Sequence, residues 1–158
     1  MFAGESAHSL DEKNRLVVPK RILDALEREE ERERFYLTRG VGGCLYLFTE
    51  ARFGQISREL GGRAILEKPQ KRAFKRILFA SSQLVFLDGQ NRILLPETLK
   101  GVGRIDREVV VVGVGDHVEI WAAERWKGFQ EEMESRFDEL ADLLDEGGDG
   151  KPEAPPRA

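Results

Sequence analysis

Residues 2–19 read FAGESAHSLDEKNRLVVP, and residues 79–96 read FASSQLVFLDGQNRILLP. At this offset of 77, seven of eighteen positions are identical: Phe2/Phe79, Ala3/Ala80, Leu10/Leu87, Asp11/Asp88, Asn14/Asn91, Arg15/Arg92 and Pro19/Pro96. A second match follows in the same order, RGVGGCLYLFTEARF (39–53) with VGVGDHVEIWAAERW (112–126), at an offset of 73. Two ordered matches indicate an internal duplication. The four-residue difference is expected in the charged run Glu27–Arg34, where a surface insertion costs little loop entropy.

Each copy reads as strand, tight turn, strand, short helix, hairpin and helix. Leu16–Val18 and Ile93–Leu95 are short apolar strands. Pro19 and Pro96 suit the first turn of a helix, where a missing N–H has no intrahelical partner to lose. The spacing of Ile22, Leu23 and Leu26 predicts a helix over Lys20–Leu26, and Gly101 is the expected stop of the second copy's helix. Phe35–Arg39 and Val109–Val112 lead through glycine turns into strands Leu45–Phe48 and Val118–Trp121. A linker helix is expected near 69–80, with Phe74, Ile77 and Leu78 opposite its cations. Phe129, Met133, Phe137, Leu140 and Leu144 mark an amphipathic helix over 129–146, and the Gly- and Pro-rich stretch 147–158 reads as disordered. One copy of about 60 residues has too few apolar positions for its own core, so both are expected to fold as one body. The expected division is 1–66, first repeat; 67–78, linker helix; 79–128, second repeat.

The chain of 158 residues is 41% hydrophobic and 34% charged, with a net charge of −4. That total hides a split: residues 130–158 carry 3 basic and 10 acidic groups, whereas residues 1–129 carry 22 basic and 19 acidic ones. Within 63–76, Arg63, Lys68, Lys71, Arg72, Lys75 and Arg76 face a single anion, Glu67. Screening confines each charge to about 10 Å, so an acidic total does not exclude a nucleic-acid partner. No stretch approaches the ~18 apolar residues of a membrane span. The start Met1–Glu5 lacks a signal peptide's basic and apolar regions, which places the protein in the cytoplasm. One cysteine, Cys44, and two histidines, His8 and His117, argue against a disulfide or a zinc cluster. His8 and His117 read as ordinary strand residues.

Asp11-Glu12-Lys13-Asn14-Arg15, echoed by Asp88-Gly89-Gln90-Asn91-Arg92, carries the most chemistry. Asn in the third loop position tolerates the left-handed conformation that closes such a hairpin turn. Asp accepts loop N–H groups and holds the guanidinium by a two-point contact. An arginine fixed this way suits a phosphate or the O6/N7 edge of guanine. A purely structural staple is the other reading, and the duplication alone would preserve one. The loops differ: Lys13, Lys20 and Arg21 surround the first turn, whereas Gly89, Gln90, Glu97 and Thr98 occupy the matching places in the second.

These features resemble the MraZ family of transcriptional regulators, built of two tandem SpoVT/AbrB-like domains. The resemblance covers residues 1 to about 140, from the opening Met1-Phe2-x-Gly4 through both D-x-x-x-R turns to Val118–Trp121. It implies an α+β, mainly β fold: a pseudo-two-fold swapped-hairpin barrel with flanking helices, assembled with other subunits into a ring. It also implies binding to double-stranded DNA at repeated G-rich boxes upstream of the division and cell-wall gene cluster, including the regulator's own promoter, in the cytoplasm and nucleoid. The residues expected to meet DNA are Lys13, Asn14, Arg15, Lys20 and Arg21, with Asp11, Asp88 and Arg92 orienting the turns. The Phe129/Met133/Phe137 stripe either packs on its own barrel or forms part of a ring contact.

No nucleophile–base set, metal cluster or phosphate loop is visible, and neither an enzyme activity nor a cofactor is expected. Two other classes remain open: an antitoxin-like protein-binding module using the acidic C-terminal segment, and an enzyme on a related double-psi-type barrel.

Overall fold

The computed structural model describes residues 1–62 and 64–146; Arg63 and the stretch 147–158, read above as disordered, lie outside them. The chain divides into two compact units, Met1–Ala123 and Glu124–Ala158. The first contains both sequence copies. It is built from strands β1 (Glu5–Ser9), β2 (Arg15–Val17), β3 (Arg34–Arg39), β4 (Leu45–Thr49), β5 (Gln83–Phe86), β6 (Arg92–Leu94), β7 (Glu108–Gly113) and β8 (Val118–Ala122). Its helices are α1 (Lys20–Asp24), α2 (Glu50–Glu59), α3 (Pro69–Ser81) and α4 (Glu97–Gly103).

The strands form an antiparallel six-stranded sheet of order β1-β7-β8-β4-β3-β5 and a separate two-stranded ribbon, β2-β6. The first strand of each copy pairs with the third strand of the other: β1 with β7, and β5 with β3. The order is a palindrome under exchange of the copies. Its pseudo-two-fold axis passes between Leu16 and Ile93 in the ribbon and between Tyr46 and Glu119 at the β4–β8 seam. The barrel expected from the family is not closed, because the described sheet ends at β1 and β5. The D-x-x-x-R segments are likewise not hairpins: β1 and β2 flank the first turn but pair with different partners.

Burial explains why neither copy stands alone. Leu16 and Ile93, 1% and 0% exposed, belong to one apolar cluster with Leu10, Ile22, Phe35, Leu37, Leu45, Leu95, Leu99 and Ile120, drawn from both halves. Pairing refines the repeat. Phe35 lies between Val85 and Thr49, and Val109 lies between His8 and Ala122, so β3 matches β7 at an offset of 74. Three of the four extra residues therefore fall in the charged run, which forms a short 3-10 turn at Glu29–Arg32, and one falls in the first glycine turn. At Gly113 the second turn accommodates the N-terminal segment: Phe2 exchanges backbone hydrogen bonds of 2.8 Å with Gly115, and a Cβ on Gly113 would collide with the backbone of Phe2 and Ala3.

Several local expectations shift. Pro19 and Pro96, with ψ of 142° and 144°, stand just before the helices and outside their first turns, while α1 begins at Lys20 as expected. Helix α1 ends at Asp24, earlier than predicted, although Leu26 is still buried. Gly101 lies inside α4, which stops at Arg104 in the left-handed conformation (φ 49°). On α3, Leu78 is buried while Phe74 and Ile77 remain about half exposed. His117 is not a strand residue; it sits in the turn before β8, between the carboxylates of Asp116 (2.8 Å) and Glu119 (3.0 Å).

The second unit holds most of α5 (Ala123–Met133), a 3-10 turn (Glu134–Arg136) and α6 (Phe137–Glu146). The apolar stripe is therefore carried by two helices with a break at Glu134, and α5 starts six residues before Phe129. Trp126 stacks on Phe129 at 5.5 Å. Among the described residues no helix is long and apolar enough to cross a membrane.

A candidate nucleic-acid interface on the exchanged ribbon

Each D-x-x-x-R turn closes by the same bonds. The Asp11 N–H donates to the Arg15 carbonyl at 3.0 Å, and the Asn14 N–H donates to the Asp11 carbonyl at 3.0 Å; Asp88, Asn91 and Arg92 repeat this at 2.9 and 3.0 Å. Asn14 and Asn91 hold φ of 60° and 59°, where an asparagine is tolerated and most side chains are not. The aspartate Oδ1 accepts two loop N–H groups, from Lys13 and Arg15 in the first turn (2.9 Å each) and from Gln90 and Arg92 in the second (2.9 Å each). Its Oδ2 accepts the arginine Nε–H, at 2.7 Å from Arg15 and 2.8 Å from Arg92.

The clamp is therefore one side-chain bond plus two backbone bonds, in place of the expected two-point guanidinium contact. Among the described residues, neither Nη nitrogen of Arg15 has a hydrogen-bond partner. Its side chain is 30% exposed, on the ribbon face opposite the buried Leu16. The two clamps meet across the pseudo-two-fold, with Arg92 Nη1 3.7 Å from Asp11 Oδ2.

The carboxylates titrate accordingly. The backbone N–H of Arg15 holds the Asp11 carboxyl below its ordinary range; partial desolvation opposes this, and the Arg15 side chain and the Lys13 N–H assist. For Asp88, desolvation pushes upward but is outweighed by the Arg92 N–H and guanidinium and the Gln90 N–H.

The remaining expected site residues divide. Lys13 is exposed and, among the described residues, its ammonium has no partner. Lys20 is exposed and, among the described residues, reaches only Asp24, four residues on, at 2.7 Å. Asn14 is committed to the other copy: its Nδ2 donates to Glu97 and its Oδ1 accepts from Lys100, both at 2.7 Å. Arg21 is turned away from the role expected for it. Its guanidinium donates to Ser6 Oγ (2.8 Å) and to the carbonyls of Ala3, Gly4 and Val111 (3.2, 3.2 and 2.8 Å), tying the N-terminal segment to β7. Four of its five N–H bonds are thereby used, and desolvation lowers its pKa.

The basic stripe on α3 is also partly spent. Lys75 and Lys71 lie 3.1 and 3.8 Å from the buried Glu67 carboxylate, and Arg72 reaches the Glu67 carbonyl at 3.4 Å. Cys44 is fully buried, and burial with the nearby Glu119 pushes its thiol up to about 12, so it stays protonated. Among the described residues no group of His, Cys, Asp and Glu could hold a metal.

Sequence reading missed the ribbon's common face. Because opposed residues on paired strands share a face, Arg15↔Leu94 and Val17↔Arg92 place all four side chains outward, with Leu16 and Ile93 inward. No local signal could have shown this, since β2 and β6 are 77 residues apart.

The two carboxylates contribute stability above the pH at which they titrate in the unfolded chain, and this is lost as pH falls through their lower folded-state values. In an NMR titration, the Asp11 and Asp88 side-chain carboxyl carbons should both show midpoints below the ordinary aspartate value of 3.8. A midpoint at or above it for either would mean that its clamp is not formed.

Comparison with known proteins agrees with this architecture. The family model described as "MraZ protein, putative antitoxin-like" matches twice, at residues 1–77 and 78–146. Among similar curated proteins, one from Symbiobacterium thermophilum is 40% identical over 141 residues, covering 89% of this chain and 98% of that protein. One from Lactiplantibacillus plantarum is 35% identical over 144 residues, covering 91% and 98%. Another, from Finegoldia magna, is 33% identical over 146 residues, covering 92% and 98%. All three carry the name "Transcriptional regulator MraZ". With its duplicated turns, exchanged strands and two successive family matches, this chain belongs to the MraZ family.

Proposed function

We propose that this protein is a sequence-specific DNA-binding regulator of transcription, not an enzyme, acting in the cytoplasm and nucleoid. Its sites would be repeated G-rich boxes upstream of a division and cell-wall gene cluster, including its own promoter. The observation that carries this reading is the outward face of the β2–β6 ribbon, where carboxylates fix two arginines at diagonal positions of the paired strands. A two-stranded ribbon fits the major groove, and a pre-aimed guanidinium matches the guanine O6/N7 edge. Arg15 is the guanine reader, with Lys13 and Lys20 neutralising phosphate. Asn14 acts from behind, holding the first loop against α4. Arg92 lies on the same face, but Gly89, Gln90 and Glu97 leave its surroundings without added positive charge.

The family names imply regulation; a ring-shaped homo-oligomer is a further step that we also propose. A groove of about 330 Å³ lies between α3 and the first glycine turn, lined by Val41, Tyr46, Phe74, Ile77 and Arg39 among others. Val41, Phe74 and Ile77 are exposed there, and Arg39 Nε is buried without a partner among the described residues. A ring requires head-to-tail contacts between two different surfaces, and this groove is offered as one of them. Each ring would bind repeated boxes with gains of up to ~10²–10⁴ from effective concentration.

On DNA from upstream of this gene, Arg15→Ala should cost about 1–3 kcal/mol and flatten the preference for that DNA over a scrambled duplex. Lys13→Ala should weaken both duplexes alike and reduce the salt dependence of binding. Equal losses on both duplexes for Arg15→Ala would remove its reading role. For assembly, light scattering at micromolar concentration should give a multiple of the 17.9 kDa chain mass, reduced by Ile77→Asp. A monomer mass for the unmodified chain would reject the ring.

A further inference from the structure

The outward face of the β2–β6 ribbon is not uniformly polar. Val17 and Leu94 are 48% and 53% exposed, each directly opposite a clamped arginine: Val17 faces Arg92, and Leu94 faces Arg15. They are also each other's equivalents in the repeat, so the axis that relates the arginines relates them too. An exposed strand face ordinarily carries polar residues. Here two aliphatic side chains alternate with two arginines at the corners of one outward face.

We propose that Val17 and Leu94 determine specificity by packing on thymine methyl groups beside the bases read by the arginines. This rests on the DNA-binding reading above and adds the part of the site that reads by apolar contact. The C5-methyl of thymine is the apolar feature of the major groove, and aliphatic side chains discriminate through it. Directly opposed residues in an antiparallel pair lie ~4.5–5.5 Å apart. Each aliphatic contact therefore falls within about one or two base steps of ~3.4 Å from the base its arginine reads. Two-fold placement gives one methyl contact on each side of the axis.

The test uses the duplex upstream of this gene, made once with dTTP and once with dUTP, so that pairing and the O4 acceptor are kept and only the methyl groups are lost. Burying one methyl is worth about fourfold in affinity, so the unmodified protein should bind uracil DNA about fifteenfold more weakly. Val17→Ala with Leu94→Ala should bind thymine DNA correspondingly weaker and show no further loss on uracil DNA. If thermal melting shows that this pair fails to fold, Val17→Ser with Leu94→Asn, which leaves polar side chains without a methyl group at both positions, replaces it. An unchanged thymine-to-uracil ratio in the variant overturns the inference, because the discrimination would then arise elsewhere. Wild-type binding that depends on Arg15 yet ignores the uracil substitution overturns this inference and leaves the regulator reading intact. Failure of the wild type to prefer its upstream DNA over a scrambled duplex overturns both.

Discussion

A single carboxylate with three N–H donors sets the course of each copy. Asp11 binds the Lys13 and Arg15 amides through one oxygen and the Arg15 Nε through the other, while Asn14 takes the left-handed conformation that completes the turn. The turn does not fold its two strands onto each other. It directs β1 to one partner and β2 to another, and both partners lie in the second copy. The clamp is about one-third exposed, so it contributes little as an ion pair in water. Its consequence is geometric: the guanidinium is held by Nε, and its outer nitrogens stay available.

Strand exchange then accounts for the rest of the first unit. Each half supplies strands that the other lacks, and Leu16 and Ile93 meet on the axis with almost no exposure. The duplication within one chain also frees the halves to diverge, which two identical subunits cannot do. Glu97 and Lys100 grip Asn14, whereas their first-copy counterparts are Lys20 and Leu23. One half thus supports the loop of the other, and the cations stay with the supported loop.

Much of this was legible in the sequence, for identifiable reasons. The repeat and most strand positions follow from residue identity and local periodicity, and the turn aspartates do accept the loop amides as their chemistry predicts, though each holds its arginine by Nε alone. Strand partners were not legible: the choice of β7 over β2 for β1 is made by hydrogen bonds between residues a hundred positions apart, as in His8↔Val109. Arg21 misled for a related reason. A cation beside a presumed DNA loop reads as a phosphate contact, but Gly4, at φ 80°, brings backbone carbonyls to its guanidinium that no sequence pattern advertises.

The central claim is that Asp11 acts by aiming Arg15, and Asp11→Asn isolates it. An asparagine oxygen can still accept the two amides that close the turn, but its NH₂ group cannot accept from Nε. The most direct measurement is promoter-DNA affinity for Asp11→Asn, Arg15→Ala and the double variant, with thermal melts in parallel. The account predicts that Asp11→Asn melts close to the unmodified protein, loses affinity, and adds nothing to the loss from Arg15→Ala. Unaltered affinity for Asp11→Asn, or losses that add in full in the double variant, would contradict it.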